Sequence, residues 1–319
     1  GENIPLRLRV WNVTPFSSGR IRVRLSVENT LTGQREQERF SISASPLPQV
    51  LEHQLSSRAC GQLLCRMERA WVSDYLGLFS LPLLHNPRQE AAAFFWPAVH
   101  PLVLELQESS VPDSEGERYS QTKPGDDPTE LFALRDWREG DRLSRIHWKL
   151  SQKLGRPLVK ELGLPLSDHR LFLLDLNGTG TEADALLDAF ASLSSFLAEG
   201  EVAHRAAYWE PSAQVLHCRE VAGPEDLLPL WKELLASGGH ASLPTPRQED
   251  LPSGISHVIY LCCQPQEMVL EAVKLKWPSA RLSILYTDPE AERGPALAGK
   301  EARRVQPGQA AQELNGMAL

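Results

Sequence analysis

Three oxygen-bearing side chains follow one buried strand of the sequence within five residues. Asp175, Asn177 and Thr179 come directly after an apolar run. A hard divalent cation such as Mg²⁺ prefers oxygen ligands and often takes only one or two carboxylates from the protein. A second acid is missing, because the later strand that ends at Cys262 is followed by no acid before Glu267. We therefore expect a degenerate metal-site loop that binds partners without a metal, with Asp175 as the ligand if Mg²⁺ binds at all. In the alternative interpretation, Asp175 caps the neighbouring helix or accepts hydrogen bonds from turn amides.

A second candidate site is the segment 135–161, which concentrates basic and aromatic side chains. It holds five Arg, three Lys and two Trp around the pair Gly140-Asp141. These cations have the chemistry to bind phosphates or an acidic partner surface, but their spacing also permits ion pairs within the segment. We favour the structural use, in which Gly140 and Asp141 form a turn and Trp148 anchors a strand onto the core. The basic side chains in question are Arg138, Arg142, Arg145, Lys149, Lys153, Arg156 and Lys160, and the internal acids are Asp136, Glu139, Asp141 and Glu161.

Catalytic motifs are missing from the sequence. It contains no G-x-S-x-G elbow, P-loop, G-x-G-x-x-G or H-E-x-x-H, and nothing places a nucleophile beside a base. His147 follows Asp141 by six residues, and we interpret this single histidine as structural. The sequence therefore predicts a protein that is not an enzyme, although an enzyme of the cell envelope with an unrecognised site stays open as an alternative.

Composition narrows the class of protein further. A formal net charge of −8 argues against a general nucleic-acid binder. The five Cys have no disulfide-framework spacing, so we expect buried, reduced thiols. No segment approaches the ~18 consecutive apolar residues of a membrane span.

Hydrophobic periodicity divides the chain into an all-β part and an α/β part. Period-two alternation in 6–10 and 20–27, with a hairpin turn at 30–34, predicts a small β-sandwich domain over residues 1–106. Residues 107–168 hold a polar loop and the segment 135–161. From 169 to 288, buried strands alternate with amphipathic helices, which predicts a mostly parallel sheet covered by helices.

Two details of the α/β part are specific enough to test. The helix predicted over 182–197 has Thr181 as its expected N-cap. Residues 289–319 show little periodicity, so we expect a C-terminal tail that is partly disordered or loosely docked. In open α/β sheets the functional crevice lies at the carboxyl ends of the strands.

The order of residues in segment 135–161 resembles the signature of the DUF58 family, a group of bacterial proteins with a von Willebrand factor A-like domain. The family pattern reads roughly Y-x-x-G-D-x-x-R-x-I-D-W-x-x-(S/T)-A-(R/K)-x-G-x-L-x-V-(K/R)-E, with Asp-Pro-(F/L)-Gly-Leu-Phe upstream. Two departures are Trp137 in place of Tyr and His147 in place of Asp. The matching residues are Asp74, Gly77, Leu78, Phe79, Gly140, Asp141, Arg145, Ile146, Trp148, Ser151, Lys153, Gly155, Leu158, Val159, Lys160 and Glu161.

The resemblance implies a Rossmann-like, von Willebrand A-like fold for the α/β part. In such domains the position of Asp175, Asn177 and Thr179 holds an Asp-x-Ser-x-Ser loop that binds a divalent metal. The complete metal site also takes a Thr from a later loop and an Asp near the fourth strand, and neither is recognisable here. A Mg²⁺-dependent binding module of this type is therefore kept as an alternative function.

The resemblance also implies a non-enzymatic protein-interaction adaptor. Family members often occur beside MoxR-type AAA+ ATPases and transglutaminase-like membrane proteins, so we expect both as partners in an action on client proteins. The expected binding face is the crevice around Asp175–Thr179, with the basic signature alongside. We expect a polar, transient interface, because the sequence shows no large exposed apolar stripe.

A membrane anchor outside this chain is a further implication. Family members commonly carry two membrane helices ahead of the matched region, and this sequence opens with Gly-Glu-Asn-Ile-Pro and no initiator Met. We therefore expect the soluble part of a membrane-anchored protein, with this region facing the cytoplasm.

Overall fold

The architecture is taken from a computed structural model, which describes residues 3–10, 19–43, 45, 47–57, 59–83, 90–106, 111–112, 118–167, 169–178, 180–238, 242–291, 297 and 301–319.

Seven antiparallel strands form the first part of the chain. Strand β2 pairs with β3 and β5, while β6 and β7 also pair with β5, and β1 and β4 form a separate two-stranded sheet. The strands are β1 Asn3–Val10, β2 Arg20–Asn29, β3 Arg35–Ser43, β4 Gln49–Ser56, β5 Gly61–Ser73, β6 Ser80–Pro82 and β7 Glu90–Phe95.

The predicted alternation decides how these two sheets pack. Alternate residues of β2, including Ile21 and Val23, point to one side and are buried against Leu6 and Leu8 of β1. The two sheets thus share hydrophobic clusters, as expected for a small β-sandwich. The predicted hairpin at 30–34 is confirmed, because β2 and β3 pair on either side of it and Gly33 has the positive φ of +68° that favours glycine.

The middle of the chain forms a further β-hairpin with a helix in its connection. β10 and β11 pair antiparallel, while β12 pairs with both β8 and β9. The elements are β8 Val111–Pro112, β9 Arg118–Tyr119, β10 Asp127–Asp136, a 3₁₀ turn at Leu143–Arg145, α1 Trp148–Leu154, β11 Leu158–Gly163 and β12 Pro165–Ser167.

A six-stranded mixed sheet organises the last part. Its order is β15-β14-β13-β16-β17-β18, and all neighbours are parallel except β14 and β15. The elements are β13 His169–Asp175, α2 Gly180–Glu199, β14 His204–Glu210, β15 Val215–Val221, a 3₁₀ turn at Pro224–Asp226, α3 Leu227–Ala236, β16 Ile255–Cys262, α4 Glu267–Lys276, β17 Arg281–Tyr286, β18 Glu301–Arg304 and α5 Ala310–Leu314.

The central strands explain why this sheet forms the largest core. All eight residues of β16 and six of the seven in β13 are buried, as expected of strands covered on both faces. The alternation of strands and helices predicted from 169 onward is confirmed. The antiparallel edge strand β15 was missed, because its half-exposed sequence lacks a continuous apolar run.

Helix α2 joins the β-sandwich to the α/β part. Three polar residues spaced by four along one face accept hydrogen bonds from backbone amides of the earlier chain: Asp184 from Cys60 at 2.6 Å, Asp188 from Ala98 at 2.7 Å, and Ser192 from His100 at 3.0 Å. The spacing follows the helical period, which places all three on one side of α2.

Two expectations about this part are wrong. Helix α2 begins at Gly180, so Thr181 lies inside its first turn and is not the N-cap. In the predicted tail 289–319, residues 301–319 are not loosely docked: β18 extends the sheet, and Leu314, Met317 and Leu319 are buried in the main hydrophobic cluster. Residues 292–296 and 298–300 of that tail lie outside the described residues. Their apolar side chains follow no regular period, so the sequence alone gave no sign of this packing. Among the described helices, none combines the length and hydropathy that crossing a bilayer requires.

Candidate functional site

Asp175 lies at the carboxyl edge of the mixed sheet, where the strand order reverses. It ends β13, which is flanked by β14 on one side and β16 on the other, the position at which open α/β sheets form their crevice. Only 1% of Asp175 is exposed. Asp175 therefore lies at the carboxyl end of a central strand, as the sequence predicts, but its carboxyl group faces the protein interior.

The carboxylate of Asp175 is surrounded by hydrogen-bond donors. Its Oδ1 accepts from the backbone amide of Leu243 at 3.0 Å, and its Oδ2 accepts from the Tyr260 hydroxyl at 3.1 Å and the Gln266 side chain at 2.7 Å. The backbone amide of Asn177 also donates to it. Burial raises the pKa of this carboxyl, and the four hydrogen bonds partly oppose that shift.

This donor set does not fit a divalent cation. A metal ion needs lone pairs, whereas the groups around Asp175 present hydrogen atoms and already use its oxygens. Asn177 turns its amide toward the hydroxyl of Ser242, and Thr179 lies outside the described residues. Among those residues, no group of three or more His, Cys, Asp or Glu is arranged to hold a metal. The alternative interpretation, in which Asp175 accepts loop amides, agrees with the structure.

The segment that begins at Leu243, whose amide donates to Asp175, forms one wall of a cavity of about 510 Å³ at the same edge of the sheet. The opposite wall comes from the end of β14 at Trp209 and the start of β15 at Val215. Arg247 and Asp250 are the ionisable groups of its lining, and both are exposed. The cavity has a mixed apolar and polar lining with no pair of groups suited to acid–base catalysis among its described residues.

Segment 135–161 folds into a hairpin that is stabilised by ion pairs between its own side chains. We call it the signature hairpin. The guanidinium of Arg135 donates to both carboxylate oxygens of Asp141, at 2.6 and 2.7 Å, and to Glu161 at 2.9 Å. The backbone amide of Arg138 donates to Asp141 at 2.7 Å. These hydrogen bonds, led by those from Arg135, lower the pKa of Asp141 to about 2. The predicted turn is also present, since Gly140 adopts a φ of +99°.

Residues of the signature hairpin also hold α1 in place. The Nδ1 atom of His147 accepts from the Leu150 amide at 3.2 Å and so caps the helix, which gives His147 a structural role. Ser151 accepts from the Leu158 amide at 2.9 Å and ties α1 to β11. Gly155 ends the helix in the left-handed conformation, with a φ of +66°.

Other signature side chains face solvent. Trp148 is 62% exposed at the start of α1, so the expectation that it anchors a strand onto the core is wrong; Ile146 and Val159 are buried there instead. Within the described part of the chain, Lys149 and Lys153 make no ion pair. Of the remaining cations, Arg145 pairs with Asp126, Arg156 pairs with Asp136, and Lys160 is half-buried on β11.

Buried serine–histidine pairs lie elsewhere in the sheet. The Ser194 hydroxyl lies 2.7 Å from His204 Nε2, and Ser283 lies 2.9 Å from His257 Nε2. All four side chains are buried, so a substrate cannot reach either hydroxyl. Burial lowers the pKa of His204 to about 4 and that of His257 to about 3, which keeps both rings neutral. We interpret these pairs as structural.

Cysteine chemistry is also restricted by burial. All five cysteines are free, as expected, and four of them are buried. Burial raises the pKa of the Cys60 and Cys262 thiols, so neither is an activated nucleophile.

Sequence reasoning missed the partners of Asp175. Leu243, Tyr260 and Gln266 follow it by 68, 85 and 91 positions. The one available signal was the parallel pairing of β13 with β16, because parallel neighbours end at the same edge of a sheet.

Comparisons with known proteins give no family for this chain: no protein-family model, curated protein or solved structure matches it significantly.

Proposed function

We propose that this protein is a non-enzymatic protein-interaction adaptor whose α/β part is a von Willebrand A-like domain. The strand order supports this fold. If the six strands are numbered as they occur from β13 onward, the order is 3-2-1-4-5-6, a doubly wound arrangement with its crevice between strands 1 and 4. The resemblance of residues 135–161 to the DUF58 signature supports the same assignment.

One observation supports the proposal: the described residues at the carboxyl edge of the sheet line an open cavity of mixed apolar and polar character, and they include no pair of groups suited to acid–base catalysis. Asp175 is used to hold Leu243 and the adjoining wall in place. The apolar side chains of Trp209 and Val215 then line an open cavity of about 510 Å³, large enough for a few side chains of a partner. A mixed apolar and polar surface of this kind suits a transient protein contact.

The proposed partners are a MoxR-type AAA+ ATPase and a transglutaminase-like membrane protein, with the chain held at the membrane by a segment outside it and facing the cytoplasm. This assignment rests on the family resemblance. The signature hairpin supplies a second contact surface, because Trp148 and the lysines of α1 face solvent, and Trp and basic side chains are frequent anchors at protein interfaces.

Affinity capture from a lysate of the native source, followed by mass spectrometry, tests the proposal. The bait carrying Val215→Asp places a charge in the crevice, and the matched control Val103→Asp changes an exposed valine elsewhere. We expect the AAA+ ATPase with wild type and Val103→Asp, and at least tenfold less with Val215→Asp. Failure to recover the ATPase with any bait, or equal recovery with Val215→Asp, refutes the proposed site.

Two further baits separate the remaining alternatives. Trp148→Ala should reduce recovery of the ATPase without changing stability, because the indole is largely exposed. Capture that depends on added Mg²⁺ and disappears in an Asp175→Ala, Asn177→Ala bait would favour a metal-dependent binding module, contrary to the donor set around Asp175.

A further inference from the structure

One face of the β-sandwich carries a row of arginines that point away from the hydrophobic core. On β2, Arg20, Arg22 and Arg24 alternate with the buried residues and therefore point away from the core. Arg24 stands directly opposite Arg39 of β3 and Arg69 of β5. We call these five residues the arginine face.

The arginine face brings like charges together without internal compensation. Directly opposed like charges on neighbouring strands are unfavourable, yet within the described residues none of the five side chains forms an ion pair. The guanidinium of Arg24 lies 5.4 Å from the ring centre of Trp71, and its buried Nε atom has no hydrogen-bond partner. The five guanidinium groups therefore concentrate positive charge on this face, to which anions are attracted.

An exposed apolar turn follows the same sheet. Five residues after β5 are between 67% and 80% exposed, which contradicts the expectation that no large apolar surface is open. They are Tyr75, Leu76, Leu78, Phe79 and Leu81. We call the first four, which lie in the turn itself, the apolar turn; Leu81 pairs with Val72 of β5, which pairs with Ile21, and so it points to the other face of the sheet.

Backbone hydrogen bonds give this turn a fixed shape. The Phe79 amide donates to the Asp74 side chain at 2.8 Å, the Asp74 amide donates to the Phe79 carbonyl at 3.2 Å, and Gly77 supplies a φ of +71°. The apolar side chains are thus presented to solvent by an ordered turn. A protein core does not form around them, although full burial of one leucine or phenylalanine side chain is favourable by about 1.5–3 kcal/mol.

The arginine face and the apolar turn are continuous. Strand β6 pairs Pro82 with Trp71 and Ser80 with Ser73, so the turn leads back along the edge of the same sheet. Where they meet, a cavity of about 380 Å³ is lined by Arg22, Arg39 and Trp71, among others. Cationic and apolar groups therefore form one surface.

We propose that this surface binds the headgroup region of a membrane that contains anionic phospholipids. The apolar turn enters the boundary between headgroups and acyl chains, and the guanidinium groups bind lipid phosphates. A bilayer fits better than a folded partner because the turn protrudes, and lipids rearrange around a convex apolar group without a complementary groove. The inference is independent of the ATPase proposal, and it assigns a membrane contact to the chain itself.

Flotation of the full chain with vesicles tests this inference. The probes are vesicles of phosphatidylcholine alone and of phosphatidylcholine mixed equally with phosphatidylglycerol. We expect binding to the mixed vesicles that weakens as salt is raised. Arg39→Gln should weaken it about fivefold, the equivalent of about 1 kcal/mol per basic residue, and Leu76→Ser about tenfold.

Matched controls keep the test sharp. Leu275→Ser changes a leucine on α4 that is as exposed as Leu76, and Arg142→Gln changes an exposed arginine of the signature hairpin; both should bind like wild type. The inference is overturned if the protein ignores both vesicles, if it binds them equally, or if the controls weaken binding as much as Leu76→Ser and Arg39→Gln. Retention on polyglutamate without vesicle binding also overturns it and assigns the surface to an acidic polypeptide.

Discussion

Replacing Asp175 by alanine should destabilise the protein by removing the acceptor at the carboxyl edge of the sheet. The substitution leaves the Leu243 amide, the Tyr260 hydroxyl and the Gln266 side chain without the partner they have at 3.0, 3.1 and 2.7 Å. A buried donor without a partner costs about 1–3 kcal/mol. Taking the lower value for each gives about 3 kcal/mol of unfolding free energy, or about 6–12 °C in the midpoint of a domain of this size.

Two variants that remove fewer hydrogen bonds test whether the loss of stability follows the number of bonds removed. Tyr260→Phe removes one hydrogen bond and should cost about 1 kcal/mol. Asp175→Asn keeps one carbonyl oxygen for the backbone amides, so its cost should lie below that of alanine. Thermal and urea unfolding followed by circular dichroism measure all three, with Asp250→Ala, an exposed acid near the same cavity, as the control expected to change stability by less than about 0.5 kcal/mol.

The dependence on pH gives an independent check. Burial raises the pKa of Asp175 above its unfolded value of 3.8, so its contribution to stability is fully present below that value and is lost as the pH rises through the folded pKa. Asp175→Asn should remove this component. The assignment of Asp175 as a buried hydrogen-bond acceptor would be refuted if Asp175→Ala had unchanged stability. It would also be refuted if millimolar Mg²⁺ raised the thermal unfolding midpoint of the wild type.

Two further predictions concern carboxyl groups outside the crevice. Arg135 lowers the pKa of Asp141 to about 2, so the stability that Asp141 adds is present above pH 3.8 and is lost as the pH falls toward 2. Asp141→Asn should abolish this loss, which near-ultraviolet circular dichroism detects through the nearby Trp137 and Trp148. An unchanged acid profile in the variant would contradict the ion pair. Burial raises the pKa of Asp188 to about 6, so its contribution to stability is present below pH 3.8 and is lost as the pH rises through 6. The urea unfolding midpoint of Asp188→Asn should lack this decline. An NMR titration that places the pKa of the Asp188 carboxyl below 4 would contradict the prediction.

Local patterns were enough to predict most elements. The alternation in β2 follows from a strand with one buried face, and the uninterrupted apolar run of β16 follows from a strand covered on both faces. Where the pattern was weak, the prediction failed. The edge strand β15 is half-exposed. Residues 301–319 pack against partners that are distant in the sequence, at the β17 edge of the sheet and in the main hydrophobic cluster.

The candidate sites divide in the same way. Internal ion pairing in the signature hairpin was predicted and is observed between Arg156 and Asp136. Arg135, which pairs with Asp141 and Glu161, was not among the cations for which pairing was predicted. The exposure of Trp148 was not predictable, since the same indole would be buried if α1 were turned toward the core. The strand register gives the core positions to Ile146 and Val159 instead.

The sequence by itself determined the period of each element, the oxygen-bearing loop after β13 and the charge-rich hairpin, because these depend on neighbours within a few residues. Only the tertiary structure decided which groups the carboxylate of this loop contacts. The parallel pairing of β13 with β16 brings Tyr260 beside Asp175, and the chain closes over them at Leu243. Donors gathered from such distant positions turn a carboxylate with the chemistry of a metal ligand into a buried hydrogen-bond acceptor.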